Sequence, residues 1–346
     1  MIYPEIPPFD FAAADLARRR QDILTKPSGS LGLLEDLSVQ LAGITGKERP
    51  RFARKAVITM AADHGVVVEG VSAYPAEVTP QMVLNILRGG AAINVLARQA
   101  GAAVRVVDIG VAYDFENVQG LIQRKIAYGT MNMLKGPAMT RDQAETAIQV
   151  GMDVVRAEIE QGLDLVATGD MGIGNTTASS AITAVLTGQP VEQVTGRGTG
   201  LDDAGLSKKV KIIKEAIRIN APDPKDALDV LSKVGGFEIA GLVGVILGAA
   251  AQRVPVVIDG FISGAAALVA AELVPAVKPY MIASHQSVEI GHRAIWNQLG
   301  LHPLLNLGLR LGEGTGAVLA FHLVEAASRI LDEMATFAEA GVSNKE

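Results

Sequence analysis

Cysteine is absent from the 346-residue sequence. Without a thiol, the chain forms no disulfide, offers no thiolate metal ligand and has no cysteine nucleophile. The first 20 residues also lack the basic start and apolar core that mark a signal peptide. We therefore expect a cytoplasmic protein.

Clusters of positive charge and long apolar runs are also missing. Lysine and arginine number 31 against 37 aspartates and glutamates, and no basic run supplies the stripe that nucleic acids require. The longest uncharged apolar run, residues 239–251, falls short of the ~20 residues that span a bilayer. We expect no nucleic-acid partner and no membrane span, and we predict a buried helix over this run.

Metal-ligand and cofactor motifs are equally sparse. His285 and His292 are seven residues apart and could share a helix face, but no carboxylate pattern accompanies them. Neither a Walker A loop nor a Gly-x-Ser-x-Gly elbow occurs, and Ser284 or Ser287 near His285 is weak support for a catalytic pair. We predict no metal and no cofactor, with core or capping roles for the histidines.

Five short runs rich in valine and isoleucine are typical of strands buried on both faces. Segments with helical period separate them, among them a helix over residues 141–160 that Thr140 is predicted to cap. Thr79-Pro80 and Asp223-Pro224 are read as two further helix starts. The strands are predicted over residues 56–62, 103–111, 163–169, 254–260 and 277–284. The alternation predicts an α/β fold, a Rossmann-like doubly wound and mostly parallel sheet.

The two ends of the chain depart from this alternation. Residues 12–24 and 31–44 have the pattern of two helices joined by a turn, and one long helix is predicted from Ala317 onward. We therefore expect residues 51–316 to form a large α/β catalytic domain. Residues 1–50 and 317–346 would pack together beside it as a small helical subdomain.

Each predicted strand ends in polar or glycine-rich residues. In open α/β sheets the ligand crevice lies outside the carboxyl ends of the strands, so five loops are expected to converge on one site. These ends carry Asp63-His64-Gly65, Asp108 and Gly110, residues 170–177, Asp259-Gly260 and residues 284–287.

The stretch DMGIGNTT (170–177) is the most informative of these ends. Its glycines bring backbone N–H groups toward an anion at the start of a helix, which is typical of a phosphate site. A tight turn with a threonine N-cap is the alternative, and the two are about evenly matched. Two further glycine-rich turns follow, TGRGTG (195–200) and GEGTG (312–316). Lys208 and Lys209 could supply cations to a phosphate, and the alternative is that they form a solvated helix face.

Glu313 stands alone between two glycines of GEGTG, in an otherwise apolar stretch. One interpretation is a favourable charge at the N-terminus of the last helix. The other is a catalytic base. Because a helix dipole lowers the pKa of an acid, the catalytic interpretation requires burial to offset that effect.

Eight ordered motifs make the sequence similar to one family, the nicotinate-nucleotide:dimethylbenzimidazole phosphoribosyltransferases. The similarity runs from about Thr25 to Ala320. The motifs are TKPSGSLGLLE, AADHGV, GVSAYPAEVTPQMVLN with GGAAINVLAR, DMGIGNTT, TGRGTGLDD, DGFISGAAAL, SHQSVEIGH and LGLRLGEGTGA.

The resemblance implies an activity and a set of site residues. The phosphoribosyl group of nicotinate mononucleotide would pass to 5,6-dimethylbenzimidazole, giving α-ribazole 5′-phosphate and nicotinate for cobalamin, in a homodimer with Glu313 as the base. The residues implied for phosphate and ribose are Gly172, Gly174, Asn175, Thr176, Gly198, Lys209, Gly314 and Gly316. Those implied for the benzimidazole are Ser72, Tyr74, Gln81 and Met171, with Asp170, Asp259 and Ser287 as further candidates.

The chain departs from the family pattern at three positions. Asp170 stands where the family commonly has glutamate, which is one methylene longer, so a direct role in binding the base is open. Ser28 and Leu33 replace a usual proline and arginine in the predicted helical subdomain. Two other functions fit parts of the sequence. The α/β pattern with DMGIGNTT would suit a dinucleotide-dependent dehydrogenase, and the five converging loops alone would permit a non-catalytic ligand-binding protein.

Overall fold

A computed structural model of the chain describes residues 3–343. Six parallel strands form one sheet in the order β3-β2-β1-β4-β5-β6. They are β1 (Lys55–Ala62), β2 (Ala102–Gly110), β3 (Leu121–Gln123), β4 (Leu165–Met171), β5 (Val256–Ile258) and β6 (Met281–Ala283). The predicted doubly wound α/β class is confirmed, since helices cover both faces of a sheet whose order reverses at β1 and β4.

Fourteen α-helices in residues 3–343 surround the sheet. They are α1 (Phe11–Ile23), α2 (Leu33–Thr45), α3 (Val78–Leu87), α4 (Ala92–Ala100), α5 (Arg141–Glu160), α6 (Asn175–Thr187), α7 (Val191–Val194), α8 (Asp203–Asn220), α9 (Ala227–Val234), α10 (Phe237–Ala251), α11 (Phe261–Leu273), α12 (Gly291–Leu299), α13 (Thr315–Glu333) and α14 (Phe337–Ala340). The apolar run predicted as a buried helix is α10, whose residues are almost all buried. No helix in the described residues is long and apolar enough to cross a membrane.

Glycine allows α5 and α10 to pack backbone against backbone. A Cβ on Gly151 of α5 would overlap the carbonyl oxygen of Gly241, and one on Gly244 of α10 would overlap that of Ile148. Larger residues would push the helices apart. Packed in this way, α10 lies on one face of the sheet. The first turn of α10 lies near the carboxyl ends of the strands.

The two ends of the chain contact each other. Arg20 in α1 donates from Nε to the carbonyl of Leu331 in α13 at 2.5 Å, and Leu24 forms an antiparallel bridge with Thr336. Helix α13 also packs against α2, α4 and the strands β4 and β5. The domain boundaries remain a prediction, and residues 1–2 and 344–346 of the predicted subdomain lie outside the described part.

Local signals located some helix ends correctly and missed others. The Thr140 capping box is confirmed, with the N–H of Gln143 donating to Thr140 Oγ1 at 3.1 Å and Gln143 accepting in return. The other two starts are wrong. Helix α3 begins at Val78, before Thr79, and α9 begins after Asp226, whose side chain outcompetes Asp223 as the cap.

Two further elements differ from the sequence prediction. The C-terminal helix ends at Glu333, and a separate short helix, α14, follows it. Strand β3 is absent from the prediction, because it has three residues and its side chains are partly exposed, so no apolar run marks it.

Candidate active site

The parallel sheet brings the polar strand ends to one edge. Asp63 and His64 follow β1, Asp170 lies near the end of β4, and Asp259 follows β5. The loop 312–316 reaches this edge as well, because the backbone N–H of Glu313 donates to the carbonyl of Asp170 at 3.2 Å. Buried carboxyl groups therefore collect at the carboxyl ends of the central strands, as the topology requires.

Glu313 is held in an unusual backbone conformation. Its φ is +62°, in the left-handed region that residues other than glycine rarely adopt, and it is only 4 % exposed. Thr59 Oγ1 donates to its carbonyl at 3.2 Å, and the N–H of Ile93 donates to its Oε2 at 3.3 Å. The residue is thus fixed through both its backbone and its side chain.

The carboxylate of Glu313 faces helix α4, and Ile93 belongs to the first turn of that helix. The sequence interpretation placed this charge at the start of the last helix, but α13 takes its N-terminal acceptor from Asp259 instead. Burial raises the pKa of Glu313, the Ile93 N–H lowers it and the charge of Asp259 raises it, with a net increase. Burial therefore outweighs the helix terminus, which is the condition that a basic role requires.

The carboxylate of Asp259 accepts hydrogen bonds from the N-terminus of α13. Its Oδ1 accepts from the N–H of Ala317 at 2.9 Å and its Oδ2 from the N–H of Gly314 at 3.1 Å. Burial raises the pKa of Asp259 to about 7 despite these backbone donors. The residue fixes the loop that carries Glu313 rather than standing in the open crevice.

Asp170 lies against the same loop. Its Oδ2 accepts from Asn175 Nδ2 at 3.0 Å, and its buried Oδ1 has no hydrogen-bond partner in the described residues. Burial raises the pKa of Asp170 well above its usual value, the charges of Asp259, Glu238 and Glu313 add to the rise, and Asn175 opposes it. Asp170 therefore has one buried carboxyl oxygen without a hydrogen-bond partner in the described residues.

Four of the residues implied for phosphate binding form a second cluster, namely Gly174, Thr176, Gly198 and Lys209. Gly174, at φ +94°, precedes α6, so the turn 172–174 leads directly into the positive end of that helix. Lys209 in α8 is fully buried and donates from Nζ to Thr176 Oγ1 at 2.7 Å. Gly198 lies beside both groups, since a Cβ there would be 3.2 Å from Nζ and 2.9 Å from Oγ1.

The charge of Lys209 is sensitive to this environment. Burial lowers the pKa of Lys209 to about 8, and the charge of Glu289 opposes the shift. Lys208, the other candidate cation, is exposed, and its Nζ lies near Gly70 outside the cluster. The sequence offered both lysines as cations for a phosphate, and the structure places Lys209 inside the cluster and Lys208 outside it.

The residues implied for the benzimidazole lie on two segments, residues 72–81 and the end of β4. Ser72 Oγ is 3.2 Å from Thr199 Oγ1, so residue 72 contacts the turn 195–200. Tyr74 and Gln81 are exposed, and Met171 at the end of β4 is partly buried. None of the four hydrogen-bonds to Glu313 in the described residues.

The remaining candidates have structural partners. Ser287 Oγ accepts from the N–H of Glu289 at 3.3 Å, and the N–H of Ser287 donates to His292 Nδ1 at 2.9 Å. Gly316 packs directly on the ring of His285, where a Cβ would overlap the imidazole. Burial lowers the pKa of His285 to about 4, so this histidine is neutral at pH 7. No group of three or more metal-ligating side chains is assembled in residues 3–343.

Sequence reasoning missed a buried ion pair at this edge. His64 Nε2 lies 2.7 Å from Glu238 Oε1, and both side chains are almost fully buried. Burial opposes the charged form of His64, but the charge and hydrogen bond of Glu238, with Asp63, outweigh it and raise the pKa of His64. Glu238 sits in the first turn of α10, where no local motif signals a partner for a histidine 174 residues away.

The fold and its buried strand-end cluster define the chain as a doubly wound α/β protein with a polar site at the carboxyl ends of the strands. A family profile described as phosphoribosyltransferase matches residues 6–342. The chain belongs to this phosphoribosyltransferase family.

Individual relatives match along nearly the whole chain. A protein of Chloroflexus aggregans named nicotinate-nucleotide–dimethylbenzimidazole phosphoribosyltransferase is 65 % identical over 341 residues, covering 99 % of this chain and 97 % of its own length. A protein of that name from Desulforudis audaxviator is 62 % identical, covering 98 % and 96 %. The crystal structure of the Thermus thermophilus protein is 48 % identical with a TM-score of 0.92, covering 97 % of this chain and 100 % of its own. The similarity stated from the sequence motifs is confirmed.

Proposed function

We propose that the chain transfers the phosphoribosyl group of nicotinate mononucleotide to 5,6-dimethylbenzimidazole. The products are α-ribazole 5′-phosphate and nicotinate, in the nucleotide-loop branch of cobalamin biosynthesis. The family membership and the names of the relatives support this activity. The single structural observation that carries the mechanism is the buried Glu313 carboxylate, whose pKa is raised and whose loop is tied to two strands.

One base is enough for this reaction. Nicotinate bonded to C1′ is a pyridinium cation, and when the C1′–N bond breaks its electrons neutralise the ring nitrogen. No acid has to protonate this leaving group, in contrast to the oxygen of a glycoside. The attacking benzimidazole nitrogen becomes positive as it bonds to C1′, and loss of the proton on the other ring nitrogen removes that charge.

Glu313 is the base in this proposal. Its carboxylate takes the proton from the benzimidazole, and its raised pKa makes it a better proton acceptor than an exposed glutamate. The φ of +62° and the ties to Thr59 and Asp170 hold the residue at the strand ends, where the reacting groups would meet. Asp259 maintains the loop, and the free oxygen of Asp170 is available to the bound base.

The phosphate and ribose bind, in this proposal, at the turn before α6 and around Lys209. Lys209 supplies a desolvated positive charge, and the N-terminus of α6 supplies the positive end of a helix dipole. The residues assigned to this part are Gly172, Gly174, Asn175, Thr176, Gly198, Lys209, Gly314 and Gly316. Those assigned to the benzimidazole are Ser72, Tyr74, Gln81 and Met171, and the reaction needs no cofactor.

A cytoplasmic homodimer is the assembly we propose. Support comes from three large apolar side chains exposed on α1, Phe11 at 72 %, Leu16 at 48 % and Ile23 at 51 %, which a second copy would cover. Light scattering at micromolar concentration should give about twice the chain mass of 36.1 kDa. Cell fractionation of the producing organism tests the location, and recovery in a secreted fraction would contradict it.

The activity is tested by following nicotinate release from nicotinate mononucleotide with and without dimethylbenzimidazole. We expect release that depends on the base and matches the α-ribazole 5′-phosphate formed. Binding without release would identify a ligand-binding protein, and enhanced NADH fluorescence would favour a dehydrogenase. Competition between benzimidazoles, adenine and phenols in the same assay identifies the preferred acceptor.

A further inference from the structure

Glu289 is a buried carboxylate that the mechanism above does not use. It follows β6 in the stretch SHQSVEIGH, is 7 % exposed, and its Oε2 has no hydrogen-bond partner in residues 3–343. A buried acid with a free oxygen is costly unless charges nearby offset it. The groups around Glu289 therefore indicate its role.

The neighbours of Glu289 are the groups assigned to the phosphate. Burial raises the pKa of Glu289, whereas Lys209, the Gly198 backbone and Arg310 lower it. Arg310 also donates from Nη1 to the carbonyl of Gly198 at 3.1 Å. Gly196 leaves space for the acid, because a Cβ at that position would overlap Glu289 Oε2. The turn 195–200 is thus built around this carboxyl group.

Lys209 explains why an acid is needed there. Its ammonium is fully buried and, in the described residues, has one hydrogen-bond acceptor, Thr176 Oγ1. An ammonium has three donors, so two remain for a ligand. When no phosphate is bound, Glu289 is the carboxylate whose charge supports the charged form of Lys209.

We propose that Glu289 is the internal counter-ion of the phosphate subsite, a positioning residue that balances Lys209 in the empty protein and competes with the phosphate in the loaded one. Glu289 thereby limits how tightly the phosphate is held and lets the phosphorylated product leave. This inference rests on the proposed function, since it takes the phosphate of nicotinate mononucleotide and of α-ribazole 5′-phosphate as the ligand.

The competition predicts that removing the charge strengthens binding. In Glu289→Gln the amide keeps the shape of the side chain but removes the repulsion between its charge and the phosphate. This repulsion is large because like charges interact strongly at low effective dielectric. The dissociation constant of α-ribazole 5′-phosphate should fall about 10-fold when calorimetry is done at about pH 6.5, well below the pKa of about 8 of Lys209, so that this lysine stays charged in the variant. That of α-ribazole, which lacks the phosphate, should change less than about 2-fold, because the effect acts on the phosphate alone.

Steady-state kinetics at the same pH, where Lys209 stays charged, give an independent readout. The KM for nicotinate mononucleotide should fall in Glu289→Gln, kcat should not rise, and the KM for dimethylbenzimidazole should stay near the wild-type value. The matched control is Glu192→Gln, which removes an equal charge from the exposed partner of Lys214 on α7. The control should leave the three kinetic constants and the dissociation constant of α-ribazole 5′-phosphate unchanged.

A merely structural role gives the opposite result. If Glu289 only holds the turn 195–200, both Glu289→Gln and Glu289→Asp bind α-ribazole 5′-phosphate more weakly, which would overturn the proposal. Equal tightening of α-ribazole and its phosphate would overturn it too. Glu289→Asp keeps the carboxylate charge but moves it away from the phosphate subsite. This variant should therefore tighten binding less than Glu289→Gln does. It serves as the test if the glutamine variant fails to fold. A wild-type protein that releases no nicotinate would instead refute the proposed function.

Discussion

The Oε2 atom of Glu313 accepts a hydrogen bond from the backbone N–H of Ile93 at 3.3 Å. This contact joins the loop 312–316 to the first turn of α4, two segments 220 residues apart in sequence. The N–H groups at a helix N-terminus favour a negative charge, yet burial prevails and raises the pKa of Glu313. The acid is thus oriented by a helix terminus without losing its basicity.

The raised pKa predicts where activity falls at low pH. Glu313 must be deprotonated to act as a base, so kcat/KM for dimethylbenzimidazole should fall as the pH drops through the raised pKa. The acid limb should therefore lie above the value of about 4.3 for a free glutamate. A pH–rate profile of the wild type checks this, and a limb that persists in Glu313→Gln would belong to another group, such as Asp259.

The left-handed backbone at Glu313 predicts a conflict between stability and function. A side chain at φ +62° costs about 1 kcal/mol that glycine avoids. Glu313→Gly should therefore be inactive but more stable than Glu313→Gln, by about 1 kcal/mol in denaturant unfolding. A glycine variant clearly less stable than the glutamine variant would mean that the loop is not strained there.

Lys209 predicts a fall in substrate capture at high pH. Burial lowers the pKa of Lys209 to about 8 in the empty protein, and only its charged form attracts the phosphate. The value of kcat/KM for nicotinate mononucleotide should decline as the pH rises through about 8. Lys209→Met should raise the KM for this substrate at least ~10-fold, the usual cost of a lost charged hydrogen bond, and Lys208→Met should not.

The ion pair between His64 and Glu238 predicts a pH-dependent stability. Because the pKa of His64 is raised in the folded chain, the pair contributes fully below the unfolded value of about 6.5 and is lost as the pH rises through the raised pKa. Removing one partner of a buried pair costs about 3–5 kcal/mol. Urea unfolding of Glu238→Gln should show this loss at pH 6 and a smaller one at pH 9, and an equal loss at both would contradict the charge assignment.

Sequence patterns predicted the parts of the fold that depend on local chemistry. Five of the six strands are long or wholly apolar, so their valine and isoleucine runs identified them, and the Thr140 capping box fixed the start of α5. Strand β3 is short and half exposed, and the start of α9 depends on a competition between Asp226 and Asp223 that composition does not decide. Local signals therefore predicted the elements better than their ends.

The loops that meet at the candidate site were predicted in part for the same reason. Glycine-rich turns and the single acid of GEGTG marked the loops, and parallel topology implied that they meet. The pairing of His64 with Glu238 and the approach of Glu289 to Lys209 depend on side chains from distant segments. Only the packed structure brings such partners together.

The central claim is that Glu313 removes the proton from the attacking base, and Glu313→Gln tests it most directly. The amide preserves the shape of the side chain and cannot accept that proton, so kcat for nicotinate release should fall roughly 10²–10⁴-fold. The melting temperature and the KM for nicotinate mononucleotide should stay close to those of the wild type. Turnover at the wild-type rate in a folded Glu313→Gln protein would contradict the account.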